Sequence, residues 1–599
     1  MFRRITRRTF NRLLGRSVAV APIAGVALAG LTEGASIDDA QAATAWPSPG
    51  DWGKLQVQVK GRLIQPISPL AACTAGATAA DKAACDAAVK QMANPFFIED
   101  SPGATQSTGW LNAWKTKLSP YAVAAENTND IVAAVNFARE HKVRLVVKGT
   151  GHDYFGRSNA ADSLLVWTHA MRAVTSHDAF VPEGAPTGTA GVPAVSAQAG
   201  ARWLEGYTEV TTKNGRYVQG GGCTSVGMAG GFMQGGGFGS FSRRYGTGAA
   251  GMLEVEVVTA DGTVRVCNAY KGKDLFWALC GGGGGSFGIV TRVTLMTHEA
   301  PTQSGIVRCT IKAASDEAFL MLLQELASFW HGTLCSENWG EKVSMRSDNS
   351  VEFMLLYSGM DNAGATKAFA PLVQWARRPA SACTVRFEVQ DLPFRKAWDL
   401  AYFEKGDASM VHTDDRGGPS DGQFWWAGDQ SQVSWYIWEY FGRYMPQGLL
   451  DNPAQFANTM FAATRHWTVG VHINKGLFGA NEDAQQRTLA TSMNPAVLNA
   501  AGLFIIAGGQ ESAFPGAAGH EPDMATAEAS RAKMANAYSI VQTATPGAGG
   551  YVNESSYFDE DWGDLYWGTN YAKLLKIKRE VDPTGLFTGH HLVGSEAQS

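Results

Sequence analysis

The residues best equipped for chemistry lie in three glycine-rich stretches and one late tyrosine. Lys148-Gly149-Thr150-Gly151-His152-Asp153 sets an imidazole in a glycine loop directly after a β-rich run, Val143 to Val147. A neutral imidazole near pH 7 can hydrogen-bond a backbone or phosphate group, or act as a nucleophile. Cys223 stands in the second stretch, where ten of the twenty residues from Gly220 to Gly239 are glycine. Its thiol is either a small buried side chain or, once deprotonated, a soft nucleophile. The third stretch is Gly281 to Gly285, left by Phe287 to Val293 as a strand. Such glycine density implies positive φ and close backbone approach to something flat or anionic. Near the C-terminus, Tyr551-Val552-Asn553-Glu554 offers a phenol, an amide and a carboxylate. If that segment is extended, Glu554 and Asn553 fall on opposite faces.

Several function classes fall away at once. The glycine runs lack the preceding strand, following helix and downstream acid of a dinucleotide fingerprint, and no GxxxxGK[ST] is present. No CxxC and no zinc-like Cys/His spacing occurs, so no metal is expected. The formal charge of −5 comes with no basic domain, which argues against a nucleic-acid partner. With 599 residues, 45% of them apolar, the chain has material for about two to four domains and is not disordered.

The elements that must position these residues follow from patterning. Tyr121 to Ala124 is a short strand, Asn127 to Asp130 can cap a helix, and Ile131 to His141 carries Ile131, Val135 and Ala138 on one face. With the strand Val143 to Val147, this unit delivers the His152 loop. Gly251 to Thr259, Asp261-Gly262 and Thr263 to Val266 read as a hairpin. After residue 300 the pattern changes to helices Glu317 to Trp330 and Ala363 to Ala376, with strands Phe353 to Tyr357, Thr384 to Val389 and Gln432 to Phe441. That is an α+β arrangement, a sheet covered on one face. In a regular strand Tyr436, Trp438 and Tyr440 share a face. Together with Phe424-Trp425-Trp426 they could line a cleft and stack on a sugar or aromatic ring. The last segment supplies helices Ala527 to Gln542 and about Asn570 to Val581.

The N-terminus reads as an address. Thr6-Arg7-Arg8-Thr9-Phe10-Asn11-Arg12, an apolar stretch Ser17 to Leu31 and Ala40-Gln41-Ala42 form a twin-arginine export signal with a cleavage site before Ala43. The stretch is short of the roughly 20 residues of a membrane span, so no stable membrane insertion is expected after processing. The expected destination is the periplasm or the medium, through the twin-arginine machinery, which carries folded, cofactor-loaded proteins. Residues 43–115 are Ala-rich and irregular, with one helix about Ala79 to Met92. Cys73 and Cys85 flank part of it and are a disulfide candidate in an oxidising compartment.

Taken in order, three motifs resemble the berberine bridge enzyme-like FAD-linked oxidases of the vanillyl-alcohol oxidase superfamily. They are Val147 to Tyr154, Gly222-Cys223-Thr224-Ser225-Val226-Gly227, and Asp274 to Leu279 with Gly281 to Gly288. The C-terminal signature agrees: Tyr551 to Glu554, Tyr566 to Tyr571 and Asp582 to Phe587. The resemblance spans about residues 115–599. It implies an α+β chain with a two-part PCMH-type FAD-binding domain (116–299, completed by 526–599) and an α+β substrate domain (300–525) with a large antiparallel sheet. Residues 1–42 would be the signal and 43–115 an extension.

The resemblance also implies roles. His152 would bond the flavin 8α-methyl and Cys223 the flavin C6, giving bicovalent FAD, a rigid ring and a raised potential. Gly149, Thr150, Gly151, Asp153, Gly227, Gly230, Gly231, Gly237, Gly288 and Ile289 would cradle the cofactor, with Lys148, Ser158, Asn570 and Tyr571 assisting. Val226 matches the smaller residue of oxygen-reactive relatives. Tyr551 would be the base that takes the substrate hydroxyl proton, and Asn553 would orient it. A phenol with an ordinary pKa near 10 needs help to do this. Trp426, Tyr436, Trp438 and Tyr440 would face the substrate. One departure stands out: Met228 to Met233 has no histidine where many members carry Gly-Gly-His. The implied activity is oxidation of an alcohol on a carbohydrate or phenolic substrate, with O2 reduced to H2O2. A dehydrogenase using a quinone or protein acceptor, an oxidative coupling enzyme and a silent glycan-binding protein are the alternatives.

Overall fold

A computed structural model describes residues 46–417 and 423–596. The expected export signal lies outside the described residues. Three sheets carry the architecture.

The first sheet builds the His152 loop. Asn127 caps the helix Thr128–His141, its side chain accepting from the amides of Asn129 and Asp130. Ile131, Ala134, Val135 and Ala138 are fully buried against Leu145, Leu164 and Val166. Each large apolar side chain buried this way stabilises the fold by roughly 1.5–3 kcal/mol. Lys142 closes the helix in the left-handed region, and Arg144–Lys148 follows as a strand parallel to Ser163–Trp167. A second sheet holds the expected hairpin, Met252–Val258 with Val264–Asn268, beside Ile289–Glu299.

The third sheet has nine strands and is antiparallel except at one join. Its longest ladder pairs Trp435–Pro446 with Ala500–Gln510. The exception corrects the reading of 43–115 as an extension. Ser107–Trp110 lies parallel to Trp435–Pro446, and Trp114–Lys115 forms the edge. This region also holds helices Pro49–Gln58, Ala79–Gln91 and Pro95–Glu99, and Cys73 is bonded to Cys85. It is part of the fold.

The C-terminal stretch divides. Helix Met524–Ala544 packs Met534, Ala537 and Val541 into the core of the nine-stranded sheet, rather than returning to the flavin half as expected. The return starts later. Tyr551, Trp562, Trp567, Leu574 and Ile577 share a core with Trp203, Met228 and Phe287. Gly442 makes the turn possible, because a Cβ there would collide with the Glu554 carbonyl oxygen. Among the described residues no helix is long and apolar enough to cross a membrane, and no cluster of three or more His, Cys, Asp or Glu could hold a metal.

Candidate functional site

The glycine loops, the aromatic end of the nine-stranded sheet and the 551–554 turn enclose one cavity of about 830 Å³. Gly149, Thr150, Gly151, His152, Asp153, Ser158, Cys223, Val226, Gly227, Gly230, Gly231, Gly288 and Ile289 all line it. Trp426, Tyr440, Tyr551 and Asn553 line it too.

His152 and Cys223 meet through a residue that sequence reasoning left without a role. Ser225 Oγ lies 2.9 Å from His152 Nε2 and 3.8 Å from Cys223 Sγ. Burial lowers His152 to about 4, so the ring is neutral at ordinary pH. The half-buried Cys223 thiol is pushed well above its ordinary value by burial and by the neighbouring Asp429 carboxylate. A resting thiolate, which the soft-nucleophile reading needs, is therefore not what this site holds. Asp429 itself is raised to about 6 by burial.

A flat cofactor fits this wall. Gly222, Gly230 and Gly231 line the cavity, and a Cβ built on any of them meets nothing within 4 Å. Side chains there would occupy the cavity itself. Gly151, at φ +81°, turns the His152 loop. At the other end Arg157, unnoticed in the sequence, lines the cavity beside Thr588 and Gly589. Its charge is shared with Asp153, which accepts from the Arg157 amide at 2.7 Å and from Nε at 2.9 Å.

Tyr551 closes the cavity. It is 3% exposed, and its ring meets Phe238 edge-on at 5.0 Å. Asn553 Nδ2 donates to the Tyr551 hydroxyl and to the Gly231 carbonyl, both at 2.9 Å, tying the C-terminal turn to the glycine loop. Burial and the Glu554 charge push the phenol up, so Tyr551 rests protonated. Glu554 corrects the alternation argument. Its amide donates to the Tyr551 carbonyl at 2.9 Å, so the segment is a turn, and Glu554 lines the cavity with Asn553. Lys475 holds its carboxylate. Glu341 and Lys475 also line the cavity; they come from segments far apart in sequence, and no local pattern announces them.

Six expected residues are not on the cavity wall. Lys148 is 1% exposed, and its Nζ donates to the carbonyls of Ser101, Pro102 and Ala104 at 2.7, 3.0 and 2.7 Å. Its donors are used up in bracing the 101–104 segment, and burial lowers its pKa to about 7. Asn570 donates to the Met493 carbonyl at 2.8 Å, and Tyr571 stacks on Trp567 and bonds Glu596, so both support the loops from behind. Gly237 sits behind the wall and hydrogen-bonds Tyr551 through its backbone. Tyr436 and Trp438 fail for one reason. The ladder slips between Ile437 and Glu439, a β-bulge that places an extra residue at Trp438 and reverses the alternation. Tyr436 then packs with Trp110 and Leu111, and Trp438 against the cores. Tyr440 instead joins Trp435 and Tyr154, at ring separations of 6.3 and 5.4 Å.

Comparisons with known proteins agree with this geometry. Residues 119–268 match the FAD binding domain family, and residues 550–593 match the family described as berberine and berberine like. An uncharacterized FAD-linked oxidoreductase of Arthroderma benhamiae is 28% identical, over 92% of this chain and 93% of that one. Among solved structures, the VAO-type flavoprotein MtVAO615 from Myceliophthora thermophila C1 has a TM-score of 0.74 at 24% identity, covering 93% of this chain and 96% of that chain. A glucooligosaccharide oxidase from Acremonium strictum, described with 6-S-cysteinyl, 8α-N1-histidyl FAD, has a TM-score of 0.63 at 18% identity, covering 83% and 95%. These likenesses establish the fold. The first family match holds His152 and Cys223 and the second holds Tyr551 and Asn553, so the two matched stretches supply opposite walls of one cavity. This chain is an FAD-linked oxidoreductase that carries an FAD binding domain and a berberine-like C-terminal domain.

Proposed function

We propose that the chain is an oxidase that carries FAD bonded to both His152 and Cys223 and oxidises an alcohol group of a carbohydrate or phenolic substrate. The observation that carries this reading is the shared contact of His152 and Cys223 with Ser225. The 8α-methyl and C6 lie on one edge of the flavin ring, so side chains that bond both must be neighbours on one wall. With His152 Nε2 facing the Ser225 hydroxyl, Nδ1 is the nitrogen left to bond. The glucooligosaccharide oxidase of the same fold, with its doubly linked FAD, supports the assignment.

FAD supplies a hydride acceptor that returns its electrons to O2 as H2O2. The chain supplies the rest. Tyr551, oriented by Asn553, takes the substrate hydroxyl proton. Its raised pKa makes the phenolate scarce at neutral pH, so the reaction gains from alkaline conditions. Trp426 and Tyr440 offer aromatic faces for a sugar or phenol. We further propose export by the twin-arginine route to the periplasm or medium, with residues 1–42 removed.

The test is acid precipitation of the purified protein followed by a substrate screen. Flavin colour in the washed pellet, with peptide masses showing adducts at His152 and Cys223, is expected. Oxygen uptake with stoichiometric peroxide is expected on the right alcohol. Flavin reduction without oxygen uptake would make the enzyme a dehydrogenase.

A further inference from the structure

The Cys223 thiol has a carboxylate for a neighbour, and the fold goes to some length to keep it there. Asp429 stands on the short helical turn Ala427–Gln432 and lines the same cavity wall as Cys223. The Asp429 carboxylate is near enough to act electrostatically on the Cys223 thiol. Trp426 Nε1, at the start of that turn, donates to the Gly222 carbonyl at 2.9 Å, clamping the turn against the residue before Cys223. From the far side Gln430 accepts from Trp425 Nε1 at 2.8 Å and donates to the Ala93 carbonyl at 3.1 Å. Gln432 accepts from the Tyr154 hydroxyl at 3.1 Å. A solvated surface turn needs none of these anchors.

We propose that Asp429 is the base that takes the Cys223 proton when the sulfur bonds to the flavin. This rests on the reading of Cys223 as the second attachment point. Bonding sulfur to flavin C6 removes one hydrogen from the thiol and one from C6, two protons and two electrons in all. O2 takes them as H2O2, and the sulfur's proton leaves through Asp429. A thiol whose ionisation is disfavoured by burial needs such an acceptor in place, since the thiolate is the reactive form. The competing acceptor is His152, reached through Ser225. Burial depresses the imidazole to about 4 and raises the carboxyl to about 6. Burial thus weakens the imidazole as a base and strengthens the carboxylate, which makes Asp429 the better acceptor.

The experiment compares freshly expressed holoenzymes of wild type, Asp429→Asn and Asp429→Glu by peptide mass mapping and by the visible spectrum of the washed acid pellet. Wild type is expected to carry FAD on both residues. Asp429→Asn is expected to keep FAD on His152 while Cys223-linked flavin falls at least tenfold, and Asp429→Glu is expected to recover part of it. Equal Cys223 linkage in wild type and Asp429→Asn would overturn the proposal. If Asp429→Asn does not accumulate, the same ratio is read in Trp426→Phe, which releases the clamp on the turn; unchanged linkage there would overturn it equally. A wild type with no Cys223 adduct would overturn the double-attachment reading itself, and this proposal with it.

Discussion

Lys475 Nζ holds both carboxylate oxygens of Glu554, at 2.5 and 2.6 Å, on the cavity wall next to Tyr551. Burial keeps Tyr551 a phenol, and the Glu554 charge adds to it while Lys475 is committed to Glu554. Anaerobic flavin reduction should therefore rise with pH through the neutral range, close to tenfold per unit while the phenolate is the minor form. Glu554→Gln removes the opposing charge and releases Lys475. It should move the whole profile to lower pH and speed reduction at pH 7. A slower enzyme with an unmoved profile would make Glu554 the base instead.

Tyr551→Phe should slow flavin reduction by about 10²–10⁴-fold. Stopped-flow absorbance of the flavin under anaerobic conditions reads this directly. Thermal stability should change little, because among the described residues the lost hydroxyl bonds Asn553, which keeps its bond to the Gly231 carbonyl, and the Gly237 backbone.

Cys223→Ala should leave the flavin attached through His152. The two side chains share Ser225, but they sit on different loops, and the His152 loop is held by its own strand and by the Asp153–Arg157 pair. Colour should remain in the acid pellet with an altered spectrum. Loss of all flavin to the supernatant would contradict the independent attachment of His152.

How much of this was legible in the sequence depended on how local the cause was. The helix Thr128–His141, the hairpin at Asp261-Gly262 and the His152 loop have local causes: a capping side chain, a turn dipeptide, a glycine beside a strand. Each stands within a few residues of its expected place. The aromatic strand was misread because a single bulge at Trp438 reverses every side chain beyond it, and nothing in Tyr436 to Tyr440 marks the slip. Lys148 was misread because a lysine in a glycine loop looks like a phosphate ligand until its carbonyl partners, 44 to 47 residues away, are seen. Glu341, Lys475 and Asp429 became neighbours only through the nine-stranded sheet and the turn it carries.

Gly442→Ala tests the joint between the two halves of the site. The added Cβ would meet the Glu554 carbonyl oxygen, backbone against backbone, where no side chain can swing aside. Overpacking of this kind destabilises by about 1–3 kcal/mol. The displaced 551–554 turn should also slow flavin reduction. A variant with wild-type melting temperature and rate would show that the strand and the turn are not in close register.

The Cys73–Cys85 bond closes a short loop, with a sequence separation of 12. Serine at both positions should lower stability by about 2–3 kcal/mol through the freer unfolded chain. Denaturant midpoints with and without reductant read this. The wild type should lose stability on reduction, and the double serine variant should not respond.

Acid stability offers a separate test away from the cavity. His298 packs against the ring of Tyr245 at 4.5 Å, on which Tyr217 is stacked, and burial, with Arg487 and Arg216 adding to it, lowers its pKa to about 4. Its Nε2 is buried without a hydrogen-bond partner among the described residues. The unfolded imidazole titrates near 6.5, so the unfolded chain binds the proton first as pH falls. The contribution of His298 is intact above about 6.5 and is lost toward pH 4, at about 1.4 kcal/mol per pH unit. His298→Phe keeps an aromatic ring in the stack and removes both the titration and the orphan nitrogen. The stability difference between variant and wild type should grow in the variant's favour as pH drops from 6.5 to 4, in denaturant melts at each pH. A difference that stays constant across that range would mean that His298 is not held neutral by burial.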